Sequence, residues 1–137
     1  MRHFGRSAVI ALSFSMLPLA CAAAPAWEPA TATNVDAGAS PSTFIVQALV
    51  TLPQSCYAAR IRSTPISLHT PRSFYVEERA PSSPCNSSSA YKCTVVSPGF
   101  PLPIPHMIDV VSKGPQTWKV AVKTHEPAAT PPICRKG

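Results

Sequence analysis

Several common functional motifs are missing from this chain of 137 residues. It contains only five glycines, and none forms the glycine-rich loop that cradles phosphate groups. Its cysteines include no Cys-x-x-Cys pair, the usual arrangement of a redox-active site. No Gly-x-Ser-x-Gly turn marks a serine nucleophile. We therefore expect a protein that is not an enzyme, with no catalytic residues and no cofactor.

Metal-binding patterns are also missing. His69, His106 and His125 are scattered along the chain and lack the spacing of zinc ligands. His106 and Met107 are residue types that bind copper, but Met107 is the only methionine after the first 24 residues, and copper carriers use several soft ligands. We interpret the pair as an edge histidine and a core methionine. No metal site is expected.

The N-terminus is organised like a bacterial secretory signal. Arg2 and Arg6 supply positive charge, residues 7–20 are apolar and uncharged, and small residues follow up to Pro25. The apolar run is shorter than the roughly 20 residues that a membrane span needs. Residues 1–24 are therefore predicted to be a signal sequence, and the protein to be periplasmic or extracellular.

Cys21 leaves two processing alternatives open. With Leu17-Pro18-Leu19-Ala20 before it, Cys21 resembles a lipid-attachment site, although Pro18 replaces the usual aliphatic residue. The alternative is ordinary cleavage within residues 20–24. A lipid at Cys21 would be the only membrane attachment that we expect.

Proline is abundant, with 17 residues, and its placement suggests the domain boundaries. Prolines flank residues 25–41 and recur in residues 124–137, which are interpreted as a flexible linker and a proline-rich tail. Residues 42–123 remain as one domain with a modest core. Two of the 12 basic residues lie in the signal, so ten remain against six acidic residues. This mild positive excess is compatible with attraction to anionic envelope surfaces.

Short β-strands are predicted in this domain. No segment after residue 24 combines a helical apolar stripe with capping residues. Six segments are rich in β-branched residues or alternate apolar and polar side chains: residues 42–51, 56–62, 73–78, 91–97, 107–112 and 118–123. Residues 100–105 alternate apolar residues with proline and are interpreted as an extended edge or crossover segment. The pattern favours an all-β, immunoglobulin-like β-sandwich, with a small open β-barrel as the alternative.

Alternation also predicts which side chains face the core. Trp118, Val120 and Val122 are expected to point inward, with Trp118 in the main core. Glu77 and Glu78 are adjacent, so on a strand they point to opposite faces and cannot form a carboxylate pair.

Four cysteines remain after Cys21, which indicates two disulfides in an exported chain of this size. Cys56 and Cys93 lie in predicted strands, whereas Cys85 lies in a loop and Cys134 in the tail. We therefore favour the pairs Cys56–Cys93 and Cys85–Cys134. The main rival combines Cys85–Cys93 with Cys56–Cys134.

The motif Leu52-Pro53-Gln54-Ser55-Cys56, followed by Cys93 and later by Trp118, resembles small secreted or lipid-anchored bacterial β-sandwich proteins of uncharacterised function. In those proteins a Leu-Pro-x-x-Cys motif opens a core strand, and a later cysteine pairs with it. The resemblance covers roughly residues 44–123, and Tyr57 departs from the histidine of that pattern. It implies the fold and a disulfide, and no activity.

Basic residues with nearby aromatic residues form one further pattern: Arg60, Arg62, Arg72, Arg79 and Lys92, with Tyr75 or Tyr91. We interpret them as a solvated strand face, because binding to nucleic acid needs more charge and an exported protein rarely meets that partner.

Two functional hypotheses follow from a disulfide-bonded scaffold without a catalytic site. The first is a non-enzymatic binding or structural domain of the cell envelope, whose partner is an envelope or extracellular protein or polymer. The second is a protease inhibitor that presents a stiff loop, at residues 80–86 or 97–105.

Overall fold

The computed structural model describes residues 24–64, 73–101 and 106–137. These ranges contain β-strands and no helix. In chain order the strands are β1 (Glu28–Pro29), β2 (Thr31–Ala39), β3 (Thr43–Leu52), β4 (Ala58–Ser63), β5 (Ser73–Arg79), β6 (Tyr91–Val96), β7 (Phe100–Pro101), β8 (Met107–Val111) and β9 (Thr117–Lys123). All six predicted strands are present, with ends within two residues of the prediction. The all-β class is confirmed.

The nine strands form one continuous, open sheet. In one half, β5 pairs with β4 along one edge, while β8 and β1 share its other edge. In the other half, β3 pairs with β2 along one edge and with β6 and β7 along the other. Strand β9 joins the halves, antiparallel to β8 and parallel to β2. The sheet thus folds over a core as a sandwich or open barrel does, with β4 and β6 as its outermost strands.

The core is built from side chains that alternate along the strands. Phe44, Val46 and Val50 of β3 are fully buried, as are Phe74 and Val76 of β5. Phenylalanine rings connect the two halves of the sheet: the ring centroids of Phe44 and Phe74 are 5.7 Å apart, and that of Phe100 lies 5.3 Å and 4.9 Å from them. Burying a side chain of this size contributes about 1.5–3 kcal/mol.

The predicted flexible linker is wrong for most of its length. Residues 25–41 include β1 and β2, and β2 lies between β3 and β9 with Ala37 and Ala39 buried. Small residues hide this strand from a search for large apolar side chains. One of them, Gly38, is needed because the tail crosses β2 closely there: a Cβ atom on Gly38 would overlap the His125 carbonyl oxygen and lie 2.8 Å from Cδ of Pro127.

The tail contains none of the nine strands, but it follows the sheet and pairs with it through isolated bridges. Gln47 of β3 donates a hydrogen bond from Nε2 to the Ala128 carbonyl at 3.3 Å. Farther on, Ile133 forms an isolated bridge with β6, and Arg135 forms one with β4. The tail is therefore laid across β2 and β3 and reaches both outermost strands.

The favoured disulfide pairing is wrong, because the cysteines form the third combination, Cys56–Cys85 and Cys93–Cys134. Ala58 pairs with Arg79 at the end of the β4–β5 ladder, so Cys56 lies beside the loop that follows β5, where Cys85 is found. Cys93 is buried on β6, next to the tail that carries Cys134. Two disulfides are typical of proteins in oxidising compartments.

Two further core expectations need correction. Trp118, Val120 and Val122 do face inward on β9, but Trp118 is only half-buried at the margin of the core. Its indole Nε1 donates a hydrogen bond to the hydroxyl of Ser112 at 3.0 Å. Met107 is 57% exposed and is not a core residue, because Ile108 and Val110 of β8 point into the core and the alternation of the strand turns Met107 to the outer face.

Candidate functional site

Arginine and aromatic side chains meet on the outer face of β4 and β5. Ala59 and Ile61 of β4 point into the core, so Arg60 and Arg62 point outward. Cross-strand pairing places Arg60 opposite Glu77, and Arg62 opposite Tyr75. We call this surface the arginine face; its members are Trp27, Arg60, Arg62, Tyr75, Glu77 and Arg79.

Glu77 lies at the middle of the arginine face. Its Oε1 atom accepts hydrogen bonds from Nε of Arg60 and Nε of Arg62, each at 3.0 Å. The Arg62 guanidinium also lies 4.6 Å from the centroid of the Tyr75 ring. One carboxylate thus orients two arginines, and the face keeps a net positive charge.

Trp27 packs against two arginines of the face. The guanidinium carbons of Arg60 and Arg79 lie 4.1 Å and 4.7 Å from the centroid of the Trp27 ring. Each contact of this kind contributes about 0.5–1 kcal/mol at an exposed site. A Cβ on Gly137 would lie 2.8 Å from the same ring, so the end of the tail packs on it as well.

A basic pocket of about 350 Å³ adjoins Arg79 at one end of the arginine face. Arg79, Arg135 and Lys136 line it together with the exposed hydroxyl residues Ser82 and Ser83. In the part of the chain that the structure describes, the Arg79 guanidinium has no acidic partner, whereas Arg60 and Arg62 share Glu77. The pocket therefore offers hydrogen-bond donors and positive charge to an anionic group.

The predicted basic residues are only partly brought together. Arg60, Arg62 and Arg79 lie with Tyr75 on the arginine face, whereas Lys92 lies on β6. Arg72 falls outside the described residues, and so do His69 and Cys21. Tyr91, also on β6, packs against the core instead of a basic side chain.

Sequence reasoning missed Trp27 and the tail residues Arg135 and Lys136. Trp27 lies in the segment that was assigned to a linker, and only the pairing of β1 with β5 carries it to the arginine face. Arg135 and Lys136 arrive there through the Cys93–Cys134 bond, whose pairing was not the favoured one. The available signal in the sequence was Trp27 itself, a large aromatic residue just before the small residues of β2.

Glu78 is a second acidic group of interest; it points inward and Glu77 points outward, so the two lie on opposite faces as predicted. It is 8% exposed, and Glu28 of β1 lies directly opposite it. Burial raises the pKa of Glu78, the nearby Lys113 ammonium lowers it, and the Glu28 carboxylate raises it, with a net increase. We find no chemistry for this carboxyl, but it makes stability depend on pH.

The two predicted inhibitor loops differ in how they are held. Residues 80–86 are tied to the start of β4 by Cys56–Cys85, and the neighbouring Ser87 carbonyl accepts a hydrogen bond from Gln54. In residues 97–105, Phe100 and Pro101 form β7 against β3, and residues 102–105 lie outside the described ranges. Only the first loop therefore presents an exposed segment fixed by a covalent bond.

Residues 24–64, 73–101 and 106–137 contain neither a metal-binding cluster nor a membrane-spanning helix. No group of three or more His, Cys, Asp or Glu residues in these ranges is placed to hold a metal ion. No helix there is long and apolar enough to cross a membrane.

Comparisons with protein-family models, with curated proteins and with solved structures found no match. The arginine face and the basic pocket are therefore the features that bear on the function of this protein.

Proposed function

We propose that the protein is an exported, non-enzymatic binding domain of the bacterial envelope, which holds an anionic group of its partner in the basic pocket. The observation that carries this proposal is the Arg79 guanidinium, which is stacked on Trp27 and lacks an acidic partner in the described part of the chain. Stacking fixes the plane of the guanidinium and leaves its N–H groups free to donate.

The surroundings of Arg79 fit an anionic ligand. Arg135 and Lys136 add two positive charges within the same pocket, and guanidinium groups bind phosphate and carboxylate oxygens through paired hydrogen bonds. Two disulfides hold the elements that carry these residues, so little ordering entropy is lost on binding. A phosphate-bearing or carboxylate-bearing envelope polymer matches this chemistry.

The test uses the oxidised protein without its first 24 residues. Binding to a phosphate-bearing bacterial polysaccharide and to neutral dextran of matched length is measured by calorimetry at two salt concentrations. We expect binding to the charged polymer only, and weaker binding at the higher salt concentration because counterions screen the pocket.

The double variant Arg79→Gln/Lys136→Gln should weaken this binding about 10- to 100-fold, since a hydrogen bond to a charged group contributes about 1.5–3 kcal/mol. The matched control, Lys119→Gln/Lys123→Gln, removes the same charge from β9, where Asp109 and Asp36 pair with these lysines. Equal losses in both variants would show that only net charge matters, and would contradict a specific pocket.

The proposed export has its own test. Expression of the full chain in a bacterium, followed by cell fractionation and intact-mass measurement, should yield a product lacking the N-terminal segment. A mass increase equal to three acyl chains and a glycerol on a chain that begins at Cys21 would select the lipid anchor. An unmodified chain beginning within residues 21–25 would select plain secretion.

Protease inhibition is the second candidate, because Cys56–Cys85 fixes an exposed loop at residues 80–86. A stiff loop of this kind loses little conformational entropy when a protease binds it. Purified oxidised protein would be assayed against serine, cysteine and metalloproteases. No inhibition at micromolar concentration, with the loop still uncleaved, removes this candidate.

A further inference from the structure

The tail fills the gap between the two outermost strands of the sheet. The amide of Thr94 on β6 donates to the Pro132 carbonyl at 2.8 Å, and the amide of Cys134 donates back to the Thr94 carbonyl at 2.9 Å. On the opposite side, the amide of Ala59 on β4 donates to the Arg135 carbonyl at 2.9 Å. Residues 132–135, which we call the tail strand, thus bond through their main chain to both β6 and β4.

Few side chains of the tail strand help to hold it. Cys134 is only 6% exposed and is bonded to the buried Cys93. Ile133 is 46% exposed, and Pro132 and Arg135 are also exposed. Main-chain bonds do not depend on which copy of the chain supplies the strand, so the Cys93–Cys134 disulfide is the covalent bond that must open before the tail can be exchanged.

The segment before the tail strand can act as a hinge. Residues 124–131 are exposed apart from the half-buried Pro127, and they contain no strand. An extended proline-rich segment of eight residues spans about 25 Å, at roughly 3.1 Å per residue. Once the Gln47–Ala128 hydrogen bond and the packing of His125 on Gly38 are released, this length allows the tail strand to leave its own groove and enter that of a neighbouring molecule.

We propose that the groove between β4 and β6 is a strand-binding site, and that it accepts the tail strand of a second copy when a small thiol opens Cys93–Cys134. The same contacts are then made between two molecules instead of within one. The exchange is reciprocal, so it closes into a symmetric dimer without exposing an unpaired strand edge.

The chemistry of this exchange needs only a catalytic thiol. The thiolate attacks the sulfur of Cys134, which is 6% exposed whereas Cys93 is 0% exposed; the Cys93–Cys134 bond breaks, and Cys93 leaves as a thiolate. The Cys93 thiolate of the second copy then attacks the mixed disulfide at Cys134 and expels the small thiolate unchanged. The number of disulfides is the same before and after, so no net oxidation or reduction takes place.

The experiment mixes equal amounts of ¹⁴N- and ¹⁵N-labelled protein at high concentration, with and without a substoichiometric amount of reduced glutathione. After the thiols are blocked, monomer and dimer are separated by size and digested with trypsin. Trypsin places Cys93 in residues 93–113 and Cys134 in residues 124–135. The linked pair therefore reports which copies are joined.

With glutathione, we expect a dimer in which about half of the Cys93–Cys134 linked peptides carry one light and one heavy chain. Linked peptides from Cys56–Cys85 should stay light–light or heavy–heavy, because this bond contributes nothing to the exchange. The double variant Cys93→Ala/Cys134→Ala should form no covalent dimer. A protein that remains monomeric, or a dimer whose mixed-label peptides contain Cys56 or Cys85, would overturn the proposal.

Discussion

Gly38 allows two distant segments of the chain to meet. The His125 carbonyl and the Pro127 ring lie where its side chain would be, so the tail approaches the backbone of β2 directly. An alanine here would push the tail away from β2. Glycine at this position is therefore explained by close approach, since its backbone does not adopt a positive φ angle.

Trp118 should contribute less to stability than a central core tryptophan. Because the ring is half-buried, we expect Trp118→Ala to lower the free energy of unfolding by about 2 kcal/mol, below the 3–5 kcal/mol typical of full burial. Trp118→Phe keeps most of the packing but loses the hydrogen bond to Ser112, and should cost about 1 kcal/mol. Urea denaturation of both variants measures the two losses. Equal losses would show that the hydrogen bond dominates.

Glu78 should make the folded state less stable as the pH rises. Its pKa is raised in the folded chain, so the folded state binds a proton more tightly than the unfolded state does. The free energy of unfolding therefore falls between the unfolded-state pKa and the higher folded-state pKa. Glu78→Gln should remove this fall, which denaturation at several pH values between 4 and 8 would measure.

The control for Glu78 is Glu126→Gln on the exposed tail. Its stability should follow the pH dependence of the wild type. A Glu78→Gln variant with an unchanged pH profile would contradict the assignment to the buried carboxyl.

Among the elements, β2 is the longest strand that the sequence concealed. Six other strands carry β-branched and aromatic residues whose alternation predicts them, but β2 presents mainly small side chains to the core. Its place is decided by long-range pairing with β3 and β9, which no local pattern encodes. The arginine face could be predicted only in part for the same reason. Its arginines and Tyr75 lie on the predicted strands β4 and β5, whereas the position of Trp27 depends on the pairing of β1 with β5.

A charge placed in β2 tests whether this segment belongs to the fold. Ala37 is fully buried, so Ala37→Asp would bury an unpaired carboxylate and should prevent stable folding. Thr33→Asp on the exposed side of the same strand should change stability by less than about 1 kcal/mol. Circular dichroism and thermal melting compare the two variants. Similar melting temperatures of the two variants would indicate that residues 31–39 are a linker and not a strand of the sheet.

The disulfide pairing was open at the sequence level because connectivity depends on which elements become neighbours. Four cysteines allow three pairings, and strand assignment alone favoured joining Cys56 to Cys93. The β4–β5 ladder and the path of the tail decide otherwise. In the chain-entropy model each observed bond, with sequence separations of 29 and 41 residues, contributes about 4 kcal/mol.

Peptide mapping without reduction checks the pairing directly. Trypsin separates all four cysteines, since basic residues lie between each successive pair. We expect residues 80–92 linked to the peptide that ends at Arg60, and residues 93–113 linked to residues 124–135. A peptide that joins Cys56 to Cys93 would restore the pairing favoured by the sequence and would detach the tail from β6.

On the scale of the whole molecule, the sequence predicted the class and most strands, but not how the two ends of the chain are used. Strand content follows from local alternation of side chains, which is why it could be predicted without a structure, whereas export stays a prediction. The N-terminal strands and the C-terminal tail instead complete the sheet from outside the predicted domain. Boundaries drawn from proline density therefore cut through one continuous sheet.

The pairing of β2 with β9 also has a consequence for the rate of folding. Residue 37 bonds to the strand that contains residue 122, so the sheet cannot be completed until nearly the whole chain has been synthesised. Folds dominated by such distant pairings form in milliseconds to seconds. A sheet that is completed this late fits the export proposed above, because a chain that has not finished folding can be threaded through a membrane channel and fold on the far side.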